Sequence, residues 1–303
     1  MTNWALYNIA LENRGNISLL FSPEIVKDWA PQPGARKRGG QMVYSNYAIE
    51  LALTLRSLFS LTLRGTTGFL KGLAKLTGME LKVPNFSTLS RRGKNLDIAP
   101  RKWPKDEPLF FIVDSTGLKI YGEGEWMKEK HKTKRRKSWR KLHLGIDGKS
   151  KHILASELTD HLEADSKTAV KLIHQVEKEI DTFCADGAYD SSPLYEALKE
   201  HNKGKPPNIL VPPQENAVPS TEGDSQRDKH IAYINEHGQD AWEMARGYSK
   251  QSLVENAMFR YKTLIGRKLR ARELSNQKTE SKIGVKLINW MTDLGMPVSV
   301  PVR

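Results

Sequence analysis

The sequence is poor in cysteine and in acidic residues, and it has no long apolar run. Its 303 residues include one cysteine, Cys184, which excludes an internal disulfide framework and a cysteine-rich zinc site. No apolar stretch approaches the roughly 20 residues that a membrane helix needs. The N-terminal residues lack the basic and then apolar pattern of a signal peptide. We therefore expect a protein of the reducing cytoplasm, with no membrane partner.

The shortage of acid leaves a strongly basic chain. There are 48 Lys and Arg against 35 Asp and Glu, a formal net charge of +13. A basic protein is drawn to polyanions, of which nucleic acids are the most abundant in the cytoplasm. A membrane surface would favour basic residues on one amphipathic helix, whereas here they are spread over several predicted elements. The composition therefore predicts a nucleic-acid partner.

The first third of the sequence is predicted to be helical. Residues 1–43 are expected to form a helical arm ending in a basic segment, residues 36–38, which is either a solvated loop or an arm for a DNA groove. Residues 44–99 predict three helices, the last with Ser87 as its N-cap. A basic, polar last helix is typical of a helix-turn-helix DNA reader, although a small bundle with a solvated face fits the same pattern. The residues expected to contact DNA from this helix are Ser90, Arg91, Arg92 and Lys94.

Residues 108–266 are predicted to form an α/β domain. The apolar run 109–113 ends on Asp114, a pattern that indicates a buried strand ending on an acid. Alternation from Trp139 to Asp147, followed by a turn signal, predicts two further strands in an antiparallel meander. A helix, a strand ending on Asp186, a helix and a fifth strand follow. Residues 212–247 are a polar insertion in which Trp242 is the one large side chain expected to be exposed.

Residues 248–265 predict the last long helix of this domain, and residues 267–303 a basic helical segment. On a helical wheel the polar face carries Tyr248, Gln251, Glu255 and Lys262. The opposite face, expected to pack on the sheet, carries Leu253, Ala257, Tyr261 and Leu264. An ordinary amphipathic helix with its polar face in water would explain the same wheel.

Three acids stand where predicted elements could bring them together: Asp114, Asp186 and Glu255. A buried strand should not end on a carboxylate unless that group is paired or binds a metal. Carboxylates suit hard cations such as Mg²⁺, and two such ions can support an in-line displacement at phosphorus. The competing acids are expected to have local roles, as a turn residue, helix-start residues or a cap: Asp147, Asp160, Asp165 and Asp190.

Four motifs, taken in order, resemble the DDE transposases of bacterial insertion sequences: residues 114–119, 139–143, 186–190 and 255–262. The resemblance implies an α/β ribonuclease-H-like core, with a mixed five-stranded sheet and an insertion, behind an all-α helix-turn-helix-like domain. It also implies that Asp114, Asp186 and Glu255 are the catalytic, metal-binding triad. Of the family's Tyr-Arg-Glu-Lys signature, the tyrosine, glutamate and lysine are present, but Gln251 holds the arginine position.

The same resemblance implies a function. The protein would bind the ends of an insertion sequence, cleave double-stranded DNA by Mg²⁺-dependent hydrolysis and join 3′-hydroxyl ends to target DNA. It would use two Mg²⁺ ions per site, with Mn²⁺ as a substitute, and act as a homodimer on DNA, with the bacterial nucleoid. A catalytically silent repressor and a ribonuclease-H-like nuclease remain alternatives. The further residues expected to contact DNA are Arg135, Arg136, Trp139, Arg140, Lys141, His143, Trp242, Tyr248, Lys250 and Lys262.

Overall fold

The computed structural model describes residues 1–31, 41–98, 107–120, 139–221, 223 and 225–300. The chain divides into two compact units, one of Met1–Ala99 with Leu264–Arg303 and one of Pro100–Thr263. The division predicted from the sequence, at residues 43, 99, 108 and 266, is finer than this and stays a prediction. Within the described residues, no helix is both long and apolar enough to cross a membrane.

The helices and strands are α1 (Trp4–Asn13), α2 (Ile25–Trp29), α3 (Asn46–Leu58), α4 (Leu63–Thr77), α5 (Phe86–Gly93), β1 (Phe110–Ile120), β2 (Trp139–Asp147), β3 (Ile153–Asp160), α6 (Asp165–Ile173), β4 (Thr182–Cys184), α7 (Ser192–His201), β5 (Asn208–Leu210), α8 (Gln226–His237), α9 (Gln239–Arg246), α10 (Ser252–Leu264), β6 (Lys268–Leu269) and α11 (Leu274–Leu294). Short 3₁₀ turns lie at Ile17–Leu19, Gly187–Tyr189 and Tyr248–Gln251.

Helices α3, α4 and α5 of the first unit begin at polar N-caps. The side chains of Ser45, Thr62 and Asn85 each accept a backbone N–H from the first turn of their helix, which satisfies a donor that the helix itself cannot pair. The prediction that Ser87 caps the third helix was wrong, because Asn85 takes that role and the helix begins at Phe86.

The core of the first unit is built around α3. Apolar side chains from several helices meet there and are almost fully buried, among them Trp29, Ile49, Leu70, Leu89 and Leu287. Helix α11 contributes the buried side chains of Ile283 and Leu287 to this core, in keeping with a helix whose stability comes from packing.

The second unit is a mixed α/β structure, as predicted. Its strands lie in the order β3-β2-β1-β4-β5. Strands β1, β2 and β3 are antiparallel neighbours, which confirms the predicted meander, whereas β4 runs parallel to β1 and β5 runs parallel to β4. Helices α6 and α7 cover one face of the sheet, over a cluster that includes Phe111, Val113 and Phe183.

One glycine is required by the packing of β1 on β2. The Phe111 ring lies across Gly145, where an added Cβ would come within 2.2 Å of the ring. A side chain at this position would displace a buried aromatic residue, since the interior is packed to near-crystalline density. The packing of the Phe111 ring therefore explains why β2 has a glycine at this position.

The long helix predicted from residue 248 begins later and with another phase. Tyr248–Gln251 forms a 3₁₀ turn, and α10 starts at Ser252. Because a 3₁₀ turn has three residues instead of 3.6, a wheel started at residue 248 is rotated. Ala257 and Tyr261 are buried as predicted, but Leu264 is 37% exposed, and Gln251, predicted on the polar face, is buried.

Candidate active site

Asp114 lies inside strand β1, although the sequence predicted that the strand would end there. Strand β1 continues to Ile120 because it remains paired with β2 as far as Lys119 and Trp139. The apolar run stops at Asp114 for another reason. The parallel pairing of β1 with β4 ends at Ile112 and Cys184, so that the sheet opens just before Asp114 and a polar residue becomes acceptable.

Asp186 follows the end of the neighbouring strand. Its side chain accepts the backbone N–H of Ala188 at 3.0 Å and so caps the short turn Gly187–Tyr189. Strands β1 and β4 are parallel and adjacent, with Ile112 opposite Cys184, so Asp114 and Asp186 each follow the last paired residue by two positions. This topology brings Asp186 near Asp114, which is 72 residues earlier in the chain.

Glu255 comes from the first turn of α10, and its side chain is exposed. The electrostatics of Asp114 link all three acids. Burial and, to a smaller extent, the negative charges of Asp186, Glu255 and Asp165 together raise the pKa of Asp114 to about 6, against the opposing effect of a hydrogen bond from the Ser115 backbone N–H. Burial, followed by the charge of Asp165, also raises the pKa of Asp186. The fold thus concentrates negative charge from three separate elements.

A hard divalent cation fits the chemistry of these donors. Carboxylate oxygens are the ligands that Mg²⁺ prefers, and a cation would neutralise the charge that now disfavours ionised Asp114. In the described ranges, no three Asp, Glu, His or Cys side chains are close enough together to hold an ion as they stand. As they stand in the described structure, the three carboxylates are therefore not assembled as a metal site.

Asp165 is a fourth acid near the site, for which the sequence predicted only a helix-start role. It begins α6, as expected, but its side chain also accepts hydrogen bonds from Ser115 Oγ at 3.2 Å and from Lys141 Nζ at 2.8 Å. These contacts depend on the register of β1 against β2, which pairs Ser115 with His143. No local pattern around Asp165 carries that information, so sequence analysis missed it.

The turn Tyr248–Gln251 packs against the strand ends that carry the first two acids. The Tyr248 hydroxyl donates to the Ala185 carbonyl at 3.3 Å. Gln251 donates from Nε2 to the Val113 carbonyl at 3.3 Å and accepts from Cys184 Sγ at 3.3 Å. Two residues of the predicted signature therefore point inward, towards the backbone beside Asp114 and Asp186.

Two family models described as a transposase DDE domain match the chain. One matches residues 105–290, more than half of the sequence, and the other matches residues 12–123. The chain belongs to the DDE transposase family. Among solved structures, the cryo-EM structure of a piggyBac transposase synaptic complex with hairpin DNA is similar with a TM-score of 0.40 and 10% identity. That similarity covers 90% of this chain and 72% of the other.

Two side chains that were predicted to contact DNA are buried in the transposase. His143 has no exposed surface, and its Nε2 lies 2.8 Å from Thr159 Oγ1. Trp242 is fully buried, with its ring 5.2 Å from that of His230 and 5.4 Å from that of Tyr248. The prediction that Trp242 is exposed was wrong, because the polar insertion folds into α8 and α9 and uses this tryptophan as its apolar centre.

The basic residues of the second unit differ in whether their charge is already paired with an acid of the protein. Arg140 pairs with Asp160, and Lys141 pairs with Asp165. The exposed Lys250 lies over the Phe110 ring at 5.1 Å. Trp139 is half-buried, with the Lys119 ammonium 5.4 Å from its ring, and Lys262 is also half-buried. The basic run from residue 128 to residue 138, with Arg135 and Arg136, lies outside the described residues.

The predicted DNA-contacting helix of the first unit is α5. Arg91 is exposed and Ser90 is half-buried. Arg92 donates to the Tyr44 carbonyl at 3.0 Å, and Lys94 pairs with Glu273 at 2.5 Å. Arg92 therefore has a role in packing α5 within its unit, whereas Arg91 presents its charge to solvent.

Proposed function

We propose that this transposase cleaves DNA at the ends of its element by divalent-metal-dependent hydrolysis and then joins the freed 3′-hydroxyl to target DNA. Membership of the family supports transposition as the overall activity. The observation that carries the chemical proposal is the electrostatic convergence of Asp186 and Glu255 on Asp114, whose pKa is raised to about 6. A site that gathers carboxylates from separate elements, with the pKa of one strongly shifted, is typical of a functional site.

Asp114, Asp186 and Glu255 would hold the cation, with Mg²⁺ expected, Mn²⁺ as its substitute and two ions per site. When bound, such ions supply Lewis-acid stabilisation of the attacking and leaving oxygens. In the first reaction, water attacks phosphorus and the bond to the 3′ oxygen breaks, which leaves a 3′-hydroxyl. In the second, that hydroxyl attacks a target phosphorus and displaces a target 3′ oxygen. No side chain becomes covalently attached to DNA in either reaction.

The architecture around the site is consistent with a ribonuclease-H-like core. An antiparallel meander β1-β2-β3 continues into parallel strands β4 and β5, and acids lie on β1, after β4 and on the later helix α10. For the first unit we propose a helix-turn-helix-like role in binding element ends, with the exposed Arg91 of α5 towards the DNA. Because two ends must be brought together, we propose a homodimer on DNA.

The proposal is tested with Asp114→Ala, Asp186→Ala and Glu255→Ala, each assayed for cleavage, strand joining and end binding with Mg²⁺. Each should abolish cleavage and leave end binding largely intact. Glu236→Ala, an exposed acid on α8, is the matched control and should cleave normally. Normal cleavage by any triad variant would refute the assignment. A wild-type protein that binds ends without any cleavage would be a repressor, and one that cleaves without joining would be a nuclease.

A further inference from the structure

Gln251 occupies the position that an arginine holds in the family signature, yet its surroundings differ from those of a phosphate contact. The side chain is only 9% exposed. Both ends of its amide have partners inside the protein: Nε2 donates to the Val113 carbonyl, and Oε1 accepts from the Cys184 thiol, both at 3.3 Å. The buried amide therefore contacts the protein interior, whereas a phosphate contact would be expected to reach the surface.

The two partners of Gln251 are next to the first two acids of the site. Val113 immediately precedes Asp114, and Cys184 lies two residues before Asp186. The register of β1 with β4 ends at Ile112 and Cys184, so the amide of Gln251 bridges the two strands where their own pairing stops. The Tyr248 hydroxyl fastens the same turn to the Ala185 carbonyl at 3.3 Å.

The chemistry of this location suits a neutral amide. The Cys184 thiol is buried and unpaired with any other cysteine, and its S–H donates to Gln251 Oε1. A primary amide offers both the acceptor for this donor and the donor for the carbonyl. A guanidinium would offer donors alone and would leave the thiol without an acceptor.

We propose that Gln251 is a positioning residue, whose amide fixes the spacing of the Asp114 and Asp186 carboxylates and ties both to the helix that carries Glu255. Glu255 follows Gln251 by four residues, about one helical turn, so the same bridge sets the start of that helix against the strand ends. This inference rests on the proposed function. Residues that orient metal ligands typically affect metal affinity more than substrate binding.

The test is Gln251→Met, which keeps the length of the side chain and removes both hydrogen bonds. Cleavage should need roughly ten-fold more Mg²⁺ for half-maximal rate, in the range seen when ligand-orienting partners are removed. Saturating Mg²⁺ should restore much of the rate, and end binding should stay within about two-fold. Gln239→Met, an exposed glutamine on α9, is the matched control and should keep the wild-type metal dependence.

A second pair of variants keeps the test decisive if Gln251→Met folds poorly. Cys184→Ala removes one donor to the amide, whereas Cys184→Ser retains a hydroxyl donor there. The half-saturating Mg²⁺ concentration should rise for the alanine variant and return towards the wild-type value for the serine variant. If Cys184→Ala and Cys184→Ser have the same half-saturating Mg²⁺ concentration and the same melting temperature, the inference is overturned.

Other outcomes separate the inference from its competitors. Weaker end binding by Gln251→Met with unchanged metal dependence would identify a phosphate contact instead. If Gln251→Met loses cleavage only in proportion to its loss of folded protein, and the half-saturating Mg²⁺ concentration is unchanged, Gln251 has a purely structural role. If Asp114→Ala, Asp186→Ala and Glu255→Ala still cleave, the proposed function itself fails. If they are inactive and Gln251→Met behaves as wild type, only the role of Gln251 fails.

Discussion

Arg227 of helix α8 forms a bidentate ion pair with Asp190. Its Nε lies 2.9 and 3.1 Å from the two carboxylate oxygens, and its Nη2 lies 3.0 Å from one of them. The Asp190 side chain is 1% exposed and also accepts from the Tyr195 hydroxyl at 3.3 Å. Asp190 was expected to cap the following helix, but its carboxylate instead fastens the insertion to the turn that begins at Asp186.

Replacing Arg227 should therefore loosen the turn that carries Asp186. Arg227→Ala leaves a buried carboxylate with the Tyr195 hydroxyl as its remaining side-chain partner, and breaking such a pair typically costs about 3 kcal/mol. We expect a loss of that order in the free energy of unfolding, measured by denaturant titration, and faster hydrogen exchange at residues 186–190. Arg246→Ala, an exposed arginine on α9, should change neither. Recovery of stability in the double variant Arg227→Met with Asp190→Asn would show that the cost comes from the unpaired charge.

The buried imidazole of His143 should make the protein sensitive to mild acid. Burial lowers its pKa to about 4 from an ordinary value of 6.5. Between these values the unfolded chain binds a proton at this imidazole that the folded protein does not, so the contribution of His143 to stability falls as the pH is lowered from 6.5 towards 4. The raised pKa of Asp114 acts in the opposite direction below about pH 6, so the His143 contribution is measured as the difference between the wild type and a His143 variant. The loss should be on the order of 3 kcal/mol and should be absent in His143→Gln. His161→Gln, on a more exposed histidine, should keep the wild-type pH dependence, and the same slope in His143→Gln would contradict this account.

Divalent metal should stabilise the folded protein without DNA. A ligand that binds the native state alone raises stability in proportion to the logarithm of its concentration over its dissociation constant. Saturating Mg²⁺ should therefore raise the melting temperature by about 5 °C. Asp114→Asn should remove most of this shift because it deletes a ligand charge, whereas Glu236→Gln should retain it. An equal shift in both variants would place the metal elsewhere.

The sequence was sufficient for features that depend on local patterns. The apolar run before Asp114 and the alternation of β2 each predicted an element that is present. The predictions were wrong where a neighbouring strand or helix determined the length of an element or the burial of a side chain. Strand β1 extends past Asp114 because β2 continues to pair with it. Trp242 of α9 is buried because it packs against His230 of α8 and against Tyr248.

The residues of the site also divide into those that a local pattern predicted and those that depend on neighbouring elements. The spacing of the motifs indicated Asp114, Asp186 and Glu255, which share an electrostatic environment in the fold. Asp165 and the inward orientation of Gln251 could not be predicted, since both depend on strand register and on a 3₁₀ turn that shifts the helical phase. A helical wheel assumes a regular α-helix from residue 248 onwards, and it therefore assigned Gln251 to the polar face with Glu255.

Lys250 and Lys141 should differ in their contribution to DNA binding. Lys250 is exposed, whereas the ammonium of Lys141 donates to Asp165 at 2.8 Å and to the Glu163 carbonyl at 3.1 Å. Each phosphate contact adds about 0.9 to the slope of log affinity against log salt. Lys250→Met should lower that slope by about one, and Lys141→Met should lower it less, because its charge is already partly neutralised. Binding isotherms at several salt concentrations measure both slopes, and a larger change for Lys141 would mean that DNA displaces it from Asp165.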